Sequence, residues 1–270
     1  MLLDRLFQPR LVEPLRITTL NLNGIRSAAK KGFFSWARRQ NPDVLCLQET
    51  RAHGHQLPRS IARPRGFHAS YREAVRPGYS GVGIWSRQAP DRVIDHLGDE
   101  TIDREGRYLR ADFGKLSVIS WYLPSGSSSP ERQIVKLAVM ETFAAHLREL
   151  AAEGRDCVVC GDWNIAHRPI DLTNWRANQK YSGFLPEERA WMDRVLGEVG
   201  WVDAYRAVHP ETVQYTWWSN RGQARKKNVG WRIDYQIATP GLAKKARGAS
   251  VYTRTWFSDH APMTIEYDLG

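Results

Sequence analysis

The stretch Cys157-Val158-Val159-Cys160-Gly161-Asp162-Trp163-Asn164 carries more information than any other in this chain. Its first four residues read as a buried apolar strand, and Gly161 reads as the turn that ends it. The turn delivers Asp162 and Asn164 close together, so both side chains can lean into one cleft. A carboxylate beside an amide at a strand end suits phosphate-ester chemistry. The carboxylate can take a proton from water or hold a metal, and the amide can bind an oxyanion. The same letters also fit a strand-to-loop turn with an Asx cap, so other parts of the chain must decide.

Working outward, the same pattern recurs. A strand over 16–20 is followed by Asn21 and Asn23, and one over 43–47 by Gln48 and Glu49. A strand over 116–121 delivers Tyr122, paired as a hairpin with 108–113 through Gly114 and Lys115. Further strands are read at 67–71, 81–85, 233–238, 249–253 and 262–267, with Asp234 and Ser258-Asp259-His260 at their ends. Helices are expected over 27–39, from the Ser129-Pro130 cap to Gly154, and from Pro186 onward. On the second, Leu137, Met140, Ala144, Leu147 and Ala151 recur at helical spacing and read as its core stripe. Trp191, Val195 and Val199 play that part on the third.

Hairpins mixed with strand–helix–strand units imply an α/β fold of two packed sheets with helices outside. With no Pro/Ser-rich linker, the chain divides into an N-terminal extension at 1–14 and one domain at 15–270. Strand ends on one edge of a sheet can converge, so the polar residues above form one candidate site. Glu49 with Asn21, Asn23 and Asp259 is an all-oxygen set, which favours Mg²⁺ or Mn²⁺ over zinc. Asp259 directly precedes His260, so the better partner for the imidazole is Asp234. Tyr122 either donates to a phosphate oxygen, ionises, or is a buried aromatic with a satisfied hydroxyl.

Lys and Arg number 39 against 29 acids, a net charge of +10. Basic residues cluster at Lys30-Lys31, Arg38-Arg39, Arg104 with Arg107 and Arg110, and Arg221 to Lys227, and there are 11 Trp. Basic stretches interleaved with aromatics suit phosphates plus bases or sugars, although charge alone also serves solubility. No apolar run is long enough to span a membrane. Asp4 and Arg5 interrupt any signal-peptide core, and 3 cysteines make no disulfide framework, so a cytoplasmic protein is expected. Cys157 and Cys160 stand at odd separation in a strand, should point to opposite faces, and read as structural.

At this point the chain resembles the exodeoxyribonuclease III family of abasic-site endonucleases. The resemblance rests on Leu20-Asn21-Leu22-Asn23-Gly24-Ile25-Arg26, Leu47-Gln48-Glu49-Thr50, Tyr79-Ser80-Gly81-Val82-Gly83, Asp103-Arg104-Glu105-Gly106-Arg107 and Tyr122-Leu123-Pro124. It continues in Gly161-Asp162-Trp163-Asn164-Ile165-Ala166-His167, Phe184-Leu185-Pro186-Glu187-Glu188-Arg189, Val229-Gly230-Trp231-Arg232-Ile233-Asp234-Tyr235 and Ser258-Asp259-His260, from about 16 to 267. The stretches 170–174 and 227–231 lean towards the branch that includes the major mammalian abasic endonuclease.

The resemblance implies a four-layered α/β sandwich of the DNase I type and incision 5′ to an abasic site, leaving a 3′-hydroxyl, with trimming of blocked 3′ ends. It implies Mg²⁺, with Mn²⁺ as a substitute, and a monomer acting on duplex DNA. By motif position Glu49 resembles the principal metal ligand, with Asn21, Asn23, Asp162, Asn164 and Asp259 around it. Asp162 resembles the group that positions or deprotonates the attacking water, and Asn164 the partner of the oxyanion. Asp234 and His260 resemble an orienting pair, and Tyr122 a catalytic tyrosine. Trp217, Trp231 and Ile233 fall where relatives build the pocket for a flipped-out abasic sugar. Arg26, Lys31, Tyr79 and Arg107 fall where phosphates are held. Asn23 stands where some relatives carry Asp, and Ser125 where Asn or Gln is common. Arg221 and Ser128 occupy loops that wedge into DNA in relatives. A relative acting on lipid or sugar phosphates, or a non-catalytic nucleic-acid binder, stays open as an alternative.

Overall fold

The computed structural model describes residues 13–270, so the extension expected at 1–14 lies outside them except for Glu13 and Pro14. The strands are, in chain order, β1 Leu15–Asn21, β2 Val44–Gln48, β3 His68–Arg72, β4 Val82–Ser86, β5 Arg92–Ile94, β6 Tyr108–Phe113, β7 Leu116–Tyr122, β8 Asp156–Asp162, β9 Val202–Asp203, β10 Trp217–Trp218, β11 Gly230–Trp231, β12 Asp234–Ala238, β13 Ala246–Val251 and β14 Met263–Tyr267. They form two 6-stranded sheets, ordered β13-β14-β1-β2-β4-β3 and β5-β6-β7-β8-β12-β9, and a ribbon of β10 and β11. Each large sheet is mixed: β1 runs parallel to β2, and β7 parallel to β8.

Side chains in a strand alternate between faces, and here both faces are buried. In β8, Val158 and Cys160 enter the core between the sheets, where Ile17, Val44, Cys46, Ile84 and Ile265 also lie. Cys157 and Val159 point the other way, with Ile119 and Trp121, against the helices Pro130–Ala152 and Pro186–Leu196. Leu45 and Leu47 face outward from the first sheet onto Ile25, Ala28, Phe33 and Trp36 of the helices Ile25–Lys30 and Phe33–Gln40. Three cores separate four layers: helix, sheet, sheet, helix. The two cysteines of β8 do lie on opposite faces.

Four local expectations change. The helix expected over 27–39 is two helices, broken at Gly32, whose φ of 84° is a conformation that glycine adopts without penalty. The long helix keeps Met140, Ala144 and Leu147 of the expected stripe inward, but the stripe's other edge differs. Leu137 is half-buried and Ala151 exposed, and the inward residues are Lys136, Val139, Met140, Phe143, Ala144, Leu147 and Leu150. The third helix ends at Leu196, so Val199 follows it and packs half-buried against the core. Gly161 is not a turn, because β8 continues through Asp162. It is required for a different reason: a Cβ there would sit 1.8 Å from the Trp121 carbonyl oxygen on parallel β7. Strands β9, β10 and β11 span two residues each, too few for any period to show. Among the described residues no helix is long and apolar enough to cross a membrane.

Candidate active site

The alternation that builds the central core also builds the cleft. Asp162 continues the Val158–Cys160 face of β8, Tyr122 the Val118 face of β7, and Asn21 the Ile17 face of β1. Asp234 shares its face of β12 with Ala238. All four therefore lie on the facing sides of the two sheets, at strand ends. Register completes the row: Tyr122 is the partner of Asp162 across β7–β8, and Asp234 its partner across β8–β12. Glu49 enters just after β2, and the segment holding Ser258, Asp259 and His260 enters before β14, tied to β10 by a bridge between Trp217 and His260. Asn23, Glu49 and Asn164 have φ of 44°, 49° and 50°. These left-handed turns redirect the chain at each strand exit. At Glu49 the conformation is uncommon for its side chain, as at many functional sites.

Hydrogen bonds lock the carboxylates together. Asn21 Nδ2 donates to Glu49 Oε1 and to Asp162 Oδ2, each at 2.8 Å, while its Oδ1 accepts from the Asn23 backbone at 2.9 Å. Expected among the oxygen ligands, Asn21 instead turns its nitrogen to the carboxylates and spaces them. Asp162 Oδ1 accepts from the Asn164 backbone at 2.9 Å, and Asn164 Nδ2 donates to Leu123 O at 2.8 Å. His260 Nδ1 lies 2.9 Å from Asp234 Oδ2, and its Nε2 lies 3.8 Å from Asp162 Oδ2. Asp259 accepts from Asn23 Nδ2 at 2.9 Å, Ser258 Oγ at 3.0 Å and Trp217 Nε1 at 3.2 Å.

The electrostatics follow from this burial. Burial pushes Asp162 up to about 7; Asp234 and Glu49 add to the rise, and His260 and the Asn21 bond oppose it. Burial opposes protonation of His260, but the charges of Asp234 and Asp162 overcome it and raise the imidazole to about 10. Tyr122 is raised well above the ordinary phenol range, first by burial and then by the charge on Glu49, so it is a neutral hydrogen-bond donor. The Arg107 guanidinium packs over its ring at 4.5 Å.

The cleft gathers four carboxylates, Glu49, Asp162, Asp234 and Asp259, against His260 and Arg51. That leaves an excess of negative charge and hard oxygen donors, which fits a divalent cation such as Mg²⁺ or Mn²⁺. Arg51, ion-paired to Glu49, supplies a positive charge on that carboxylate. Asp162, Asp234 and His260 bring ligand atoms within 4.8 Å of one another. His260 Nδ1 is hydrogen-bonded to Asp234, while its Nε2 faces Asp162 at 3.8 Å, an ion-pair distance rather than a hydrogen bond.

Glu49, Tyr122, Asp162, Asn164, Asp259 and His260 line a cavity of about 340 Å³ with Asn23, Arg51, Ser125 and Ser127, and Asp234 joins it only through His260. One wall is apolar: Trp217, Trp231 and Ile233, backed by Ala166, Leu172 and Phe184. The two indoles meet edge to face, 6.4 Å between centroids. A Cβ on Gly183 would approach the Trp231 ring to 3.1 Å, so glycine sets how close that loop comes.

The expected phosphate-holding residues divide. Arg26 is exposed beside a separate cavity shared with Lys30 and Arg51, and Lys31 is exposed on the same helix end. The Tyr79 hydroxyl accepts from Arg107 at 3.0 Å and Arg132 at 3.1 Å. Arg107 is 1% exposed and engaged by Glu105 and the Tyr122 carbonyl, so it buttresses Tyr122 and cannot reach a phosphate at the surface. Arg110 is similarly consumed by Asp112 and Glu153. Arg221 and Ser128 are exposed, and Ser128 lines a different cavity with Arg76 and Arg132. Sequence reasoning missed Arg51, two residues beyond Glu49, and the pair Lys136–Glu188. Buried Lys136 Nζ lies 2.6 Å from Glu188 and donates to Asn164 O at 2.8 Å. A charge on the apolar face of a helix was the available signal, hidden because one edge of the stripe was misplaced.

Comparison with known proteins gives the family and the fold. A family model described as the Endonuclease/Exonuclease/phosphatase family matches residues 18–260. The exodeoxyribonuclease of Bacillus subtilis is 35% identical over 253 residues, covering 93% of this chain and 98% of the relative. The DNA repair nuclease APEX1 of Danio rerio is 36% identical over 260 residues, covering 93% and 81%. Among solved structures, an AP endonuclease from Archaeoglobus fulgidus superposes with a TM-score of 0.86 at 30% identity, covering 94% of this chain and 100% of that one.

Proposed function

The chain belongs to the Endonuclease/Exonuclease/phosphatase family, and from that premise we propose that it is a Mg²⁺-dependent DNA-repair nuclease. It cuts the backbone 5′ to abasic sites in duplex DNA, leaves a 3′-hydroxyl, and trims blocked 3′ ends. The observation that carries the reading is one cavity that joins Glu49, Tyr122, Asp162, Asn164 and His260 to the apolar wall of Trp217, Trp231 and Ile233. Hydrolytic machinery thereby adjoins a pocket for a sugar without a base. The net charge of +10 suits a polyanionic substrate, and relatives named as exodeoxyribonuclease and DNA repair nuclease support the reaction class.

In this reading Asp162, raised towards neutrality, takes the proton of the attacking water. Asn164 and Tyr122 donate to the phosphate oxygens. His260, held by Asp234, places a positive charge beside the phosphate that becomes more negative in the transition state. Glu49 and Asp259, with the Asn23 oxygen, would hold the cation, whose contribution is to polarise the phosphoryl group and offset leaving-group charge. Flipping a nucleotide out costs a few kcal/mol, least where no base is stacked or paired, and an apolar wall offers a base edge no hydrogen bonds.

A duplex with one abasic site, assayed with Mg²⁺ and with chelator, tests the proposal. Incision on the 5′ side that chelator abolishes is expected; its absence would sink the reading. Recessed and 3′-blocked duplexes in the same panel measure the trimming activity.

A further inference from the structure

We propose that Arg225, Trp218 and Trp256 form a second nucleotide subsite beside the catalytic cleft, which takes an unpaired nucleotide of the DNA strand. The inference rests on the nuclease reading above and specifies the substrate further. The Arg225 guanidinium carbon packs 4.6 Å from the Trp218 ring centroid and 4.8 Å from that of Trp256. Its Nη1 donates to Ser258 O at 3.0 Å, while its Nε and Nη2 are buried without a hydrogen-bond partner among the described residues. Trp256 is 48% exposed. Two cavities, of about 240 and 390 Å³, meet at this stack. The smaller is also lined by Asn220 and Gln223, and it reaches Asp259 of the catalytic cleft.

Each feature points to the same ligand chemistry. The Arg225 guanidinium brings a positive charge to both cavities, which favours a nucleotide phosphate. An exposed indole offers a flat face on which any base can stack. The Asn and Gln amides can both donate to and accept from a base edge. Bases inside a duplex already have both faces covered, so only an unpaired one can use the indole. Contact with Asp259 places that nucleotide next to the strand being cut.

The test is binding, independent of turnover. A duplex with a short single-stranded tail, on the 3′ or the 5′ side, is compared with its blunt counterpart by fluorescence anisotropy at one fixed salt concentration. The wild-type chain should prefer one tailed form. Trp256→Ala should reduce that preference by roughly 5- to 150-fold, the range for losing one base–aromatic stack, and Trp256→Tyr should retain much of it. Equal wild-type affinity for tailed and blunt duplexes, or an undiminished preference in a folded Trp256→Ala variant, would overturn the subsite. Incision of a blunt abasic duplex by the wild-type chain is scored separately. Incision without tail preference defeats the subsite alone, whereas tail preference without incision defeats the nuclease reading alone.

Discussion

Asp162 and Asp234 are register partners on the antiparallel strands β8 and β12, and the His260 ring lies between their carboxylates. Partners directly across two antiparallel strands face the same side, so the pairing brings two buried acids together. Like charges so placed repel, and His260 offsets that repulsion. The same contact that makes the pair tolerable sets the imidazole between the carboxylate assigned to water and the one that orients it.

Asp234→Asn keeps the shape and removes the charge opposite His260 Nδ1. The turnover number on abasic duplex should fall on the order of 10²- to 10⁴-fold, with binding of the duplex nearly unchanged. Steady-state incision and anisotropy measure the two quantities; equal losses in both would argue for a purely structural role.

Lys136 and Glu188 are both fully buried, and Glu188 also accepts from the backbone of Gly183 and Leu185. Lys136→Met should lower unfolding stability by roughly 3–5 kcal/mol, because it leaves a buried carboxylate uncompensated. Adding Glu188→Gln should recover part of the loss. Denaturant titrations of the single and double variants decide it.

Gly161→Ala puts a methyl group against the Trp121 carbonyl, a backbone atom that cannot rotate away. The parallel pair β7–β8 must open, at a cost of about 1–3 kcal/mol or more. Activity should fall with stability, since Asp162 is the next residue. Thermal unfolding alongside the incision assay tests both.

Asp171 links the pocket loop to the core through Arg232 and Arg206. Burial alone would raise its carboxyl, but Arg232 and then Arg206 overcome that and hold it at about 2, below its ordinary 3.8. A depressed folded-state value means that the contribution to stability is complete above about 4 and is lost as the pH falls through about 2. Its size at neutral pH is about 2 kcal/mol. Acid unfolding followed by circular dichroism should therefore begin at higher pH in Arg206→Met than in the unaltered chain.

Much of the architecture was legible because its signals are local. The continuous apolar run at 157–160 and the hairpin at Gly114-Lys115 depend on near neighbours, so most of the strands could be written from the residues. Polar groups following apolar strands marked Asn21, Glu49, Tyr122, Asp162, Asp234 and His260 as a group; Glu49, Tyr122, Asp162 and His260 line one cleft, and Asn21 and Asp234 hold them from behind by hydrogen bonds. What the residues could not show depends on contacts between segments far apart in sequence. The edge of the long helix's buried stripe, and with it the buried Lys136, is set by packing on the second sheet. Arg107 looked like surface charge until folding enclosed it beneath Tyr122.

The motif that opened the reading divides the same way. That an apolar strand would present Asp162 and Asn164 at its end was written in the order of the residues. That Gly161 lies within the strand, and that Asp162 meets Asp234 and His260, was decided by the register of β7, β8 and β12. Period sets which face a side chain takes; only the pairing of distant strands sets which charges share that face.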